Sequence, residues 1–263
     1  RPYLRIQRTT DPLTAQTVTS TLRQFHGLNL QTDGSWLDVF RPSPRPTIEW
    51  LLITDGQSSA IDYYLGIDPA DALDQITPLC RGLVPDSYEL TRAEWHPDQL
   101  QAEDRSIAAV DFQADLDRKR DWLTRLTPFG DFKDTDDAHV PLATIAELMA
   151  NSSVPMVYQA LVQPLPDKTG EAEVRQREIE TGEDTLSGTL INALVGQPDE
   201  DDIKLTVADE QRIDELAEKD LRHPFVVNAR AVAFADQETT AARAIDRCAS
   251  ALGDVSYTSA DIT

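Results

Sequence analysis

Apolar and polar positions along this chain switch between a period of two and a helical period, and the switches mark out its elements. Residues 3–8, YLRIQR, alternate and predict a strand. Asp11-Pro12 opens a helix, because proline is accommodated in a first turn. Leu13, Val18, Leu22 and Phe25 then recur on one helical face until Gly27 ends it. Residues 29–46 are turn-rich and broken by Pro42, Pro44 and Pro46; their apolar Trp36, Leu37, Val39 and Phe40 are expected to cover an edge of the core. TIEWLLITDG predicts a buried strand, and the short turn QSS joins it to AIDYYLGID as a hairpin. A helix over residues 69–83, kinked by Pro78, and a strand over residues 87–95 follow. The order is β-α-β-β-α-β, the split arrangement called ferredoxin-like, with its central strand pair expected to be parallel.

The same strand–helix–strand unit returns at residues 224–263. There HPFVVNARAVAFAD reads as a strand and QETTAARAIDRCASALG as a helix, with Ala241, Ala244, Ile245, Cys248, Ala251 and Leu252 on its apolar face and Gly253 as its stop. DVSYTSADIT alternates at Val255, Tyr257, Ser259 and Asp261, as a half-buried strand does. Asp68 and Asp236 precede the two helices, Cys80 and Cys248 occupy matching places within them, and Tyr88 and Tyr257 open the strands that follow. At such positions cysteine serves as a small buried apolar residue. Upstream of the second copy, SIAAVDF predicts a strand, residues 115–126 a polar helix with Leu116, Trp122, Leu123 and Leu126 on one face, residues 140–150 a helix, and VPMVYQALVQPL a long strand. The charged segment 164–223 interrupts this copy. Its EAEVRQREIE and ADEQRIDELAEKDL read as exposed helices stitched by Glu/Arg pairs, around an apolar piece at residues 190–195. The fold class is therefore α+β, in two ferredoxin-like (βαββαβ) halves: residues 1–103, and residues 104–263 with a helical insertion at 164–223. The strands at residues 51–53 and 226–233 are too apolar to face water on either side, so the face opposite the helices needs cover from the other half or from the added helices.

Charge changes the picture of the surface. Forty-six acidic residues face 24 lysines and arginines, a net charge of −22. Lysine occurs only at Lys119, Lys133, Lys168, Lys204 and Lys219, and the acids are spread along the chain rather than gathered in a tail. An Asp-rich, Lys-poor, evenly acidic chain points to the cytoplasm of a halophile, where molar salt screens charge within about 3 Å. Lowering salt is accordingly expected to abolish the cooperative melt, because self-repulsion is released; a melting curve identical in molar and millimolar salt refutes this. No apolar run is long enough to cross a bilayer, and one cysteine per repeat makes no disulfide framework. The chain opens at Arg1 without a methionine and stops after a strand, which predicts a piece of a longer protein.

Candidate chemistry is sparse. The nearest approach to a phosphate-binding loop, GEDTLSGT at residues 182–189, has the wrong glycine spacing and no lysine before Thr189. The loop GDFKDTDDAH gathers Asp131, Asp134, Asp136, Asp137 and His139, the carboxylate density that hard cations use, but lacks the turn glycine and closing glutamate of an EF-hand. His26, His96, His139 and His223 are too far apart for a zinc pair, and no nucleophile elbow, HExxH or CxxC occurs. The basic triplet Arg118, Lys119 and Arg120 is flanked by Asp115, Asp117 and Asp121, so direct nucleic-acid contact is not expected.

At PTIEWLLITDG with AIDYYLGID, at PDSYELTRAEW, and at HPFVVNARAVAFAD with its following helix, the chain resembles the amino-terminal region of archaeal (haloarchaeal) HerA/FtsK-type ATPases of conjugative, type IV secretion-like DNA transfer. In that family the region precedes a nucleotide-binding motor domain. The family's Walker motifs have no counterpart in these residues, so the resemblance implies a non-catalytic assembly or docking module, with no cofactor, whose ATPase domain would lie beyond Thr263. Its implied partners are that motor domain and other subunits of a transfer complex, with homo-oligomers included. It implies a cytoplasmic place near a membrane complex, at the inner face of the cell membrane, without insertion. Two other readings stand beside it: a stand-alone ligand- or metal-binding domain using loop 131–139, and an enzyme with its site between the two halves.

Overall fold

The computed structural model describes residues 1–7, 15–28, 45–100, 104–116, 118, 120–123, 141–182, 205–251 and 260–262. These form an α+β fold with six α-helices and a seven-stranded antiparallel sheet. The strands are β1 (Pro2–Gln7), β2 (Thr47–Thr54), β3 (Asp62–Asp68), β4 (Glu89–Glu94), β5 (Ser106–Phe112), β7 (Met156–Pro164) and β8 (Phe225–Ala235); β6 (Ala114–Leu116) and β9 (Ala260–Ile262) make a separate two-stranded sheet. The helices are α1 (Ala15–His26), α2 (Leu73–Leu83), α3 (Pro141–Ala150), α4 (Thr169–Glu180), α5 (Val207–Glu218) and α6 (Glu238–Ala251).

The chain divides into two compact units. The first is Arg1–Phe112, His139–Leu165 and Phe225–Ala251; the second is Gln113–Ala138, Pro166–Pro224 and Leu252–Thr263. The second unit therefore takes in almost all of the charged insertion expected from sequence. The boundary expected after residue 103 falls inside the first unit, between β4 and β5, which form the opposite edges of its sheet.

In the first unit the strand order is β4-β1-β3-β2-β7-β8-β5. The first four strands and the last three read outward from the β2/β7 seam in matching sequence: the second strand of each copy, then the third, then the first. β2 and β7 join the copies in antiparallel register, with Leu52 opposite Tyr158 and Ile48 opposite Val162. Two expectations are corrected. The central pair β1 and β3 is antiparallel, Leu4 facing Leu65, because each βαβ crossover places the intervening strand of the hairpin between two parallel ones. The final strand of the second copy, in its described part, pairs with β6 (Ala114 opposite Ile262) rather than with any strand of the large sheet.

Alternation sorts the side chains of β2 between two cores. Ile48 joins Leu4, Leu65, Phe25 of α1, and Leu73, Ile76 and Cys80 of α2 on the helix-covered face. Leu51 and Ile53 lie on the other face with Tyr3, Tyr64, Val157 and Phe234. Cover on that second face comes from the segment after β4: Trp95 and Leu100, flanking a short 3₁₀ turn, close over Tyr3 and Tyr64. Trp95 meets the Tyr3 ring edge-on at 6.4 Å. Over the other end of the sheet α6 lies on β5 and β8, with Ala241, Ile245 and Cys248 buried, and Ala231 and Ala233 of β8 buried beneath the helical layer. Gly56 ends β2 in the left-handed region at φ 69°, and a Cβ there would meet the Val154 carbonyl carbon at 2.4 Å. Glycine is required on both counts, and the turn it makes brings the end of β2 against the start of β7.

In the second unit the described part of the helix expected over residues 115–126 is instead β6 and a 3₁₀ turn at Asp121–Leu123, and residues 117, 119 and 124–126 lie outside the described residues. The physical reason is Asp121, whose carboxylate accepts the Arg118 backbone N–H at 3.0 Å and closes a turn there. Nor are α4 and α5 simply exposed. They pack together and bury Ile179 and Leu216 with Leu123 and Leu221. Thr206 and Asp209 form a reciprocal capping box that starts α5.

Candidate functional site

The acidic residues singled out from sequence as cation ligands, Asp131, Asp134, Asp136, Asp137 and His139, lie outside the described residues. Among the described residues no group of three or more His, Cys, Asp or Glu is placed to hold a metal ion. Cys80 and Cys248 are free thiols in the helix-side core, and burial pushes their pKa values up to about 12 and about 11, away from thiolate chemistry. What the fold does assemble, among the described residues, is a buried carboxylate held by several donors in each unit.

The first centre is Glu49, a lone carboxylate in the apolar strand β2 and only 5% exposed. It points to the face opposite α1 and α2, where three donors converge. Tyr3 Oη donates to its Oε2 at 3.0 Å, the Arg1 guanidinium pairs with the same oxygen at 2.6 Å, and Gln159 Nε2 donates to Oε1. Tyr3 can reach because Gly66, opposite Glu49 in the register, leaves room for its ring. Burial, and next the Glu49 charge, push the Tyr3 hydroxyl up to about 12, so at neutral pH it is a fixed donor and not a base. The centre ties β1, β2 and β7 together across β3.

A Cβ at position 66 would stand 2.6 Å from Tyr3 Cε1. Gly66→Ala is therefore expected to push the tyrosine off Glu49 and cost roughly 1–3 kcal/mol. The check is a double-mutant cycle with Tyr3→Ala by urea unfolding: most of the glycine penalty should vanish once the ring is gone. Equal penalties in both backgrounds would show that Tyr3 and Gly66 are not coupled.

The second centre is Asp121, fully buried. Arg175 of α4 donates to its Oδ1 at 3.0 Å and Arg212 of α5 to its Oδ2 at 3.3 Å; both arginine side chains are themselves buried. Around this core an outer ring of pairs runs from Arg118 to Asp209 at 2.8 Å and from Arg120 to Glu178 at 2.6 Å. Lys219 donates to the Trp122 carbonyl at 3.0 Å, and burial lowers its pKa to about 8.

Sequence carried a signal for the first centre that went unused: a single acid inside TIEWLLIT, and a glycine inside the strand YYLGID, which marks a close approach. It carried none for the second, whose partners stand 54 and 91 residues from Asp121. Comparison with known proteins returned nothing: no protein-family model, no curated protein and no solved structure matches the chain significantly.

Proposed function

We propose that this chain is a non-catalytic assembly module, the amino-terminal region of a conjugation-type DNA-translocating motor ATPase from a halophile. In this reading a ferredoxin-like half, β1 to β4, is joined edge to edge through β2 and β7 to a second half that repeats its first three strands as β5, β7 and β8. The observation that carries it is the repeated strand order, β4-β1-β3-β2 running into β7-β8-β5, in which β2, β3, β4 and β8 lie on the segments that resemble the family. The buried charges support it further. Glu49 is held by Tyr3 and Gln159 of its own sheet and by Arg1, and Asp121 by two arginines from neighbouring helices, so their chemistry is spent on fixing the scaffold. Its partners would be its own motor domain and further subunits of a transfer complex. Among the described residues no helix is long and apolar enough to cross a membrane. Fold analogy alone does not license a function, so the test lies in the gene and in assembly. The residues encoded after Thr263 are expected to contain a phosphate-binding loop. A full-length variant lacking residues 1–263 should still bind magnesium-ATP but fail to form the native oligomer in light scattering. A reading frame without a motor domain, or a truncated protein that assembles normally, overturns the proposal.

A further inference from the structure

Within the first unit a cavity of about 220 Å³ lies between the C-terminal end of α3 and one side of α6. Arg243 and Arg247 stand one turn apart on α6 and both line it, with Thr240 a turn earlier. Ser152, Ser153 and Asn151 line it from the segment between α3 and β7. In a chain with 46 acids against 24 bases, this lining holds no carboxylate among the described residues. Glu147 and Asp246, the acids nearest in sequence, stand outside it. Several other arginines are matched to carboxylates: Arg1 to Glu49, Arg5 to Asp62, Arg92 to Asp74, Arg175 and Arg212 to Asp121. Arg243 and Arg247 make no such pair among the described residues, and neither do the hydroxyls of Ser153 and Thr240 take a hydrogen bond there.

The geometry points to an anion site for a phosphate group. One guanidinium fork satisfies a planar carboxylate, whereas a tetrahedral oxyanion accepts from several directions at once. Two guanidiniums on α6, with hydroxyls on both walls, offer donors of that spread. The cavity is smaller than the roughly 300 Å³ at which drug-sized ligands begin to be enclosed, so it takes the phosphate group and leaves any larger body outside. The ligand chemistry is shared by free phosphate and by a phosphate monoester, and it does not depend on the assembly reading.

The test is calorimetric titration of the intact chain with inorganic phosphate and with AMP, at constant chloride, in the lowest salt that preserves a cooperative melt. One saturable site is expected for at least one of the two probes. The Arg243→Gln/Arg247→Gln double variant should bind at least about tenfold more weakly, since each charge-assisted bond contributes at that scale. Both arginines are exposed, so this variant should keep the parent melting profile; Ser153→Ala, expected to weaken binding a few-fold, provides a second variant. Arg92→Gln, on an edge strand, should bind like the parent. Binding of phosphate alone assigns the site to free phosphate, and equal binding of AMP assigns it to a phosphate carried on a larger molecule. No saturable heat with either probe, or undiminished binding by the double variant, overturns the inference.

Discussion

Asp121→Ala is expected to destabilise the second unit by about 3–5 kcal/mol, the scale at which breaking a buried ion pair strands uncompensated charge. Arg175 and Arg212 would be left with side chains 3% and 6% exposed and without the carboxylate that both address. Glu178 stands farther from Arg175, at 4.0 Å, than Asp121 does. By contrast Arg120→Ala removes the exposed partner of Glu178 and should cost less than about 1 kcal/mol. Urea unfolding followed through Trp122, next to Asp121 in the chain, reads both. A third variant separates electrostatics from packing. Replacing Asp121, Arg175 and Arg212 together by apolar residues of similar volume should restore most of the loss, as buried triads elsewhere tolerate such exchange. If Asp121→Ala costs no more than Arg120→Ala, the triad does not hold this unit together.

That triad also shows where sequence reading stops. The strands were legible because burial on a pleated sheet imposes alternation: YLRIQR and SIAAVDF fell within a residue of β1 and β5. The long helices were legible from their apolar faces, as Ile245 and Cys248 confirm in α6. What periodicity does not encode is the choice between local and distant partners. Residues 115–126 carry Leu116, Trp122 and Leu123 at helical spacing, yet Asp121 closes its own turn and meets arginines far along the chain. The same holds for strand order. The repeat of strand, helix and strand was visible, but the seam between β2 and β7 follows from long-range pairing that no local window contains. In the first centre the clue was composition against context, an acid and a glycine within apolar strands, and it needed the register to show that they face each other.

The two units are expected to answer alkali in opposite directions. In the first, burial raises Cys80 from 9.0 to about 12 and Cys248 from 9.0 to about 11, while burial and then Glu49 raise Tyr3 from 10.0 to about 12. Each group keeps its proton in the folded state after the unfolded chain has lost it. The associated stability is therefore intact below pH 9 and is lost as pH rises through the folded values. For Cys80 the difference of three units corresponds to roughly 4 kcal/mol by pH 12, an upper bound because local opening would relieve it. In the second unit Lys219 runs the other way. Its folded pKa of about 8 lies below the ordinary 10.5, so the folded state sheds a proton that the unfolded chain retains, and stability rises between those values. Urea unfolding at pH 8, 9, 10.5 and 11, read in variants that keep only Trp95 or only Trp122, reports the units separately. The Trp95 midpoint should fall from pH 9 upward, and Cys248→Ala should flatten part of that fall. The Trp122 midpoint should climb from pH 8 to 10.5, and Lys219→Met should abolish the climb. Parallel declines at both tryptophans would mean that burial of these groups does not set the alkaline response.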